Sequence, residues 1–227
     1  MDSDEEEDLP VQGLDPTKFS ADDPAMLEYL EKHGYAVIKG AADAQAIKRA
    51  HDDFWDFHEG LGDEDGQCEQ VLRSDPSTWG RDFLPHAATG IITGCGFGQV
   101  GGQCEQDPLP KIHCPRVSLL LEPACLQQSR FCWNLRTLPA VRAAFEQIWD
   151  TSDLVTSYDG GNAFRPWEAR PEWRTQGGWW HCDQNGLRPG RRGRVCVQGL
   201  VTLTPAHEWT GGFCVMPGAR ARVNGGG

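Results

Sequence analysis

The sequence predicts a mostly β fold, a barrel or sandwich buttressed by amino-terminal helices. Three observations carry this expectation. Apolar residues recur at helical spacing in two early segments and one middle segment. From Leu154 onward the pattern changes to short runs rich in aromatic and β-branched residues: Leu154 to Tyr158, Gly177 to Asp183, Arg194 to Leu203 and Phe213 to Met216. Those runs are separated by Asp-Gly-Gly, Pro-Gly and Gly-Gly, which are turn sequences.

Residues 1–22 open with Met1-Asp2-Ser3-Asp4-Glu5-Glu6-Glu7-Asp8, a self-repelling acidic run expected to be disordered. The rest, 23–227, is expected to be one domain, since a chain of 227 residues can bury one sizeable core. Asp23 offers an N-cap with Pro24 at the first helical position; Met26, Leu27 and Leu30 make one face, and Gly34 ends the helix. Tyr35 to Lys39 reads as a buried strand. A second helix runs from about Asp43 to His58, with Ile47, Ala50, Phe54 and Phe57 on one face and Gly60 and Gly62 after it. Asp63 to Arg81 is polar and turn-rich, a loop with short structure at most. The glycines of Gly90 to Gly98 alternate without a following lysine, which argues against a phosphate-cradling loop. Val100 to Gln128 lacks the periodicity of its flanks and is expected to be an insertion. A further helix spans about Leu138 to Trp149, with Val141, Phe145, Ile148 and Trp149 on one face.

Net charge is −12 with no basic stripe, so a nucleic-acid partner is not expected. Arg188, Arg191, Arg192 and Arg194 form the only dense basic cluster, either a solvated loop or a clamp for an anionic group. The nine cysteines include no Cys-x-x-Cys pair, which leaves no zinc-ribbon or thioredoxin signature. No apolar leader is present and no run approaches eighteen apolar residues, so the expectation is a soluble protein of the cytoplasm or an organelle interior, with reduced thiols and no membrane partner.

The chemistry-bearing motif is His181-Cys182-Asp183, within Gly177-Gly178-Trp179-Trp180-His181-Cys182-Asp183-Gln184-Asn185. On a strand, His181 and Asp183 point to the same face and Cys182 to the other. An imidazole and a carboxylate so placed are two of the three ligands of a mononuclear iron(II) site of the two-histidine, one-carboxylate kind. His51-Asp52-Asp53 repeats the triplet, but on a helix residues two apart diverge by about 200°, so His51 reads as a surface histidine. The third ligand is not evident. His207, the one histidine after His181, sits in a turn sequence and is expected to be solvated.

The ordered set Leu154 to Trp167, Trp179 to Asn185, Val197 to Thr204 and Gly211 to Gly218 resembles the phytanoyl-CoA dioxygenase family of iron(II)- and 2-oxoglutarate-dependent oxygenases. The resemblance covers 24–99 in outline and 129–218 closely. It implies a double-stranded β-helix, a jelly-roll or cupin-like barrel, with helices packed on one sheet. It implies Fe(II) held by His181 and Asp183, 2-oxoglutarate as co-substrate, and hydroxylation of a small-molecule substrate. Family members place a second metal histidine and a basic residue for 2-oxoglutarate on strands well beyond the Pro-Gly turn, and the nine residues after Gly218 are too few to hold those strands. The barrel is therefore expected to be incomplete, and the chain truncated and inactive in this form. Asn162 is either a ligand of the 2-oxoglutarate carboxylate or a turn asparagine capping its own backbone. Arg165 is either an anion-binding residue or half of a buried salt bridge. Of Trp179 and Trp180, one belongs to the core and the other, taken as Trp180, to the pocket wall; Gln184 reaches substrate or fixes the strand end. Two further readings stay open: a non-catalytic barrel that binds a ligand or partner, and a two-ligand zinc or manganese module.

Overall fold

The computed structural model describes residues 17–60, 71–80, 91–92, 126–156, 160–168, 170–174, 194–206, 210 and 213–218. The acidic stretch 1–16 and segment 100–125 of the expected insertion lie outside them. Helix α1 (Ala25–His33) starts as the sequence requires: the Asp23 carboxylate accepts the Ala25 N–H at 2.9 Å, and the Asp23 carbonyl accepts the Met26 N–H at 3.1 Å. Gly34 ends it in the left-handed region at φ 81°, donating to the Leu30 carbonyl at 2.8 Å. Helix α2 (Ala44–Glu59) is capped by Asp43, whose carboxylate accepts the Ala46 N–H at 2.7 Å. Helix α3 (Arg130–Arg136) is capped by Ser129, and α4 (Pro139–Trp149) has proline in its first turn, where no N–H is needed. No helix among the described residues is long and apolar enough to cross a membrane.

The expected β architecture is not formed among the described residues. Among the described residues, regular strands are confined to four two-residue pieces. Strands β1 (Lys18–Phe19) and β2 (Val37–Ile38) pair in parallel, while β3 (Ile91–Ile92) and β4 (Gly161–Asn162) pair antiparallel. The rest of the described residues are helix or irregular backbone and form no closed barrel, which overturns the jelly-roll, double-stranded β-helix expectation. Tyr35 to Lys39 contracts to β2. Residues 154–156 are irregular, with Val155 97% exposed; 194–203 and 213–216 join no ladder among the described residues; 177–183 lies outside them.

The physical reason is visible in 194–203. Val197, Val201 and Leu203 are half-buried there, whereas Gln198, Leu200 and Thr202 are exposed, as are Val195 and Gly199. Period two says which face is covered but not by what. Here helices cover it. Arg194 lies over the Trp149 ring of α4 at 5.6 Å and pairs with Glu31 of α1 at 3.2 Å. Val197 packs into a core of Phe19, Met26, Leu30 and Ile148, and Leu203 into a second core of Ala50, Leu126, Phe131 and Cys132. The segment is a strap joining the α1/α4 core to the α2/α3 core. Farther along, the Gly218 N–H donates to the His33 carbonyl at 2.9 Å, satisfying a helix-end acceptor of α1.

Two buried polar groups on α2 differ in kind. Asp53 is satisfied: Asn134 of α3 donates to its carboxylate at 2.6 Å and the Arg130 guanidinium lies at 3.5 Å, tying α2 to α3. His58 is fully buried (0%) against the Phe54 and Phe57 rings, and neither ring nitrogen has a hydrogen-bond partner among the described residues. Burial disfavours the imidazolium and pushes the His58 pKa down to about 4.

Two predictions follow from this packing. Above pH 6.5 His58 is neutral in both folded and unfolded chains and adds no pH dependence; as pH falls from 6.5 towards 4 only the unfolded chain takes the proton. Stability should then fall by about 3 kcal/mol across that window. Urea midpoints at pH 7.5 and pH 4.5 should separate widely in the native chain and much less in His58→Phe; equal separation in both would refute the assignment. The second concerns Gly161, where an added Cβ would stand 3.2 Å from Phe131 Cε1 and 3.3 Å from Leu126 Cδ2, both on buried side chains. Gly161→Ala should cost about 1–3 kcal/mol in urea unfolding at pH 7.5.

Candidate functional site

Residues 161–168 form a second extended run, and its exposure alternates. Gly161, Ala163, Arg165 and Trp167 are half-buried; Asn162, Phe164, Pro166 and Glu168 are exposed. The run is seated by Gly161 against Phe131 and Leu126, and Ala163 packs on the same core. Alternation then decides what each candidate side chain meets. Asn162, paired to Ile91 in the β3–β4 ladder, lies on the solvent side. Arg165 lies on the covered side, so the two residues considered for 2-oxoglutarate are not brought together.

Arg165 has a defined environment. Its Nη1 donates to the Trp79 carbonyl at 2.7 Å, and its guanidinium carbon lies 5.1 Å from the centre of the Trp173 ring. Trp79 is itself anchored: its indole N–H donates to the Leu72 carbonyl at 2.8 Å, and its ring meets Trp55 of α2 at 5.3 Å. The 71–80 segment that holds Trp79 is pinned to α2 by Arg73, which pairs with Asp52 at 2.9 Å and whose backbone N–H donates to Glu59 at 2.7 Å. Hydrogen bonds from Lys48 and Arg73 pull the Asp52 pKa below the usual carboxylate range. Partial burial lowers the Arg165 pKa, and the Glu172 charge opposes that shift. A guanidinium so placed remains a cation and can hold an oxyanion.

Around Arg165 the chain gathers residues that the sequence did not single out. Trp173, in the 3₁₀ turn Pro171–Trp173, is buried and also carries Arg170 at 5.0 Å; Arg174 lies over Trp167 at 5.2 Å. A twice-occurring Arg-Pro followed by tryptophan within three residues, in 165–173, is the signal that could have found them.

His181 and Asp183, the proposed metal ligands, lie outside the described residues, as do Trp180, Gln184 and His207. Among the described residues no group of three or more His, Cys, Asp or Glu side chains is arranged to hold a metal ion. His51 is not free on the helix surface; its Nε2 lies 3.4 Å from the Leu203 carbonyl of the strap. Of the basic cluster, Arg194 is engaged by Glu31 and Trp149, and Arg188, Arg191 and Arg192 lie outside the described residues.

No family model matches the chain, and no solved structure matches it. Two curated proteins do. "Ava biosynthesis cluster protein O" of Aspergillus versicolor is 36% identical over 92 residues, which are 40% of this chain and 28% of that protein. "Putative phytanoyl-CoA dioxygenase" of Dictyostelium discoideum is 21% identical over 226 residues, covering 87% of this chain and 55% of that protein. The chain thus spans about half or less of the length of these curated relatives. The likeness to the Dictyostelium protein is distant but runs through most of the chain, and its name points to a dioxygenase-like family, the one that the motifs around His181 resemble.

Proposed function

We propose that this chain is a dioxygenase-like protein of the iron(II)- and 2-oxoglutarate-dependent kind, acting on a small-molecule substrate. The observation that carries the proposal is the ordered run of motifs around His181-Cys182-Asp183 in a chain whose distant likeness to a protein of that name extends over 87% of its length. When bound, iron(II) with 2-oxoglutarate supplies oxidation of a carbon–hydrogen bond by dioxygen, with succinate and carbon dioxide released. The chain's own part is to hold and exclude. His181, as the neutral imidazole, and Asp183, as the carboxylate, would hold the iron, so metal affinity would fall on acidification. Arg165, a partly buried cation, suits an anionic group of the co-substrate. Trp180 and Gln184 flank the pair and are assigned to the substrate side.

The test uses the full chain under anaerobic iron(II) loading. Equilibrium dialysis should show stoichiometric iron binding, and admitting air with 2-oxoglutarate should yield succinate. His181→Ala and Asp183→Ala should each weaken iron binding by more than the roughly 10–100-fold that loss of a hydrogen-bond partner to a metal ligand costs. Iron binding that neither substitution changes would remove the proposal. Iron binding that depends on both residues without succinate formation would instead support a metal- or ligand-binding module.

A further inference from the structure

We draw no further inference here: the strongest candidate, the apolar side chains of Val195, Leu200, Phe213, Val215 and Met216 exposed on the surface segments 194–203 and 213–216, carries nothing because nothing in the structure shows what covers them.

Discussion

Everything described here depends on how closely extended backbone can lie on the helices. Two glycines set that distance. At Gly199 an added Cβ would stand 3.1 Å from two carbons of the Phe145 ring, and at Gly161 one would crowd Phe131 and Leu126. Each marks a point where main chain rests directly on an aromatic ring. Lifting the strap at Gly199 would draw Val197 and Leu203 out of their two cores together, because they flank that contact on the same face. Lifting the run at Gly161 would displace Ala163 and, two residues on, Arg165 from the Trp79 carbonyl. The geometry around Arg165 is thus a consequence of packing four residues away.

Electrostatics divides the molecule along the same lines. On the helices several cations meet carboxylates: Lys48 and Arg73 with Asp52, Arg130 with Asp53 and Asp56, Arg142 with Glu146. Most of these pairs are exposed and contribute little to stability, but they keep an acidic surface from repelling itself. In the 165–174 segment three guanidiniums lie over indoles, as Arg136 lies over Trp133 and Arg194 over Trp149. Stacking on an indole retains the charge of the guanidinium. The contrast between Asp53 and His58 has the same logic inside the core. Asp53 joins two helices through Asn134, whereas His58 is tolerated only because a neutral imidazole among aromatic rings is cheap to bury.

The helices were legible because their signals are local. Asp23 and Gly34 bracket α1, Asp43 caps α2, and the face Ile47, Ala50, Phe54 and Phe57 turns inward as its spacing requires. Helix α3 was missed; at seven residues it is too short to show a period, and its place is decided by Asp53 and Phe54 on another helix. The strands were misread for a complementary reason. The run 194–203 was read as a strand, but pairing is non-local, and what covers Val197 and Leu203 is the α1/α4 core and the α2/α3 core. Of the candidate site, Arg165 was singled out on its flanking Phe164 and Pro166, while the tryptophans that position it lie 8 and 86 residues away, beyond any local pattern.

The proposed metal pair can be judged by a criterion that does not involve a barrel. An imidazole and a carboxylate at positions i and i+2 converge on one ion only where the backbone is extended; on a helix they diverge by about 200°. The chain already shows both cases. His51 and Asp53 share the His-x-Asp spacing on α2, and they separate as the helix dictates, His51 towards the strap carbonyl of Leu203 and Asp53 towards Asn134 of α3. Residues 161–168 and 194–203, by contrast, obey alternation through most of their length without belonging to a long ladder. Extended, one-face-down backbone is therefore a habit of this chain that needs only a helix surface and a well-placed glycine. Gly177-Gly178 precedes Trp179-Trp180-His181-Cys182-Asp183 in the sequence. In extended backbone an imidazole and a carboxylate two residues apart share a face, which is the geometry that iron(II) chelation by such a pair demands.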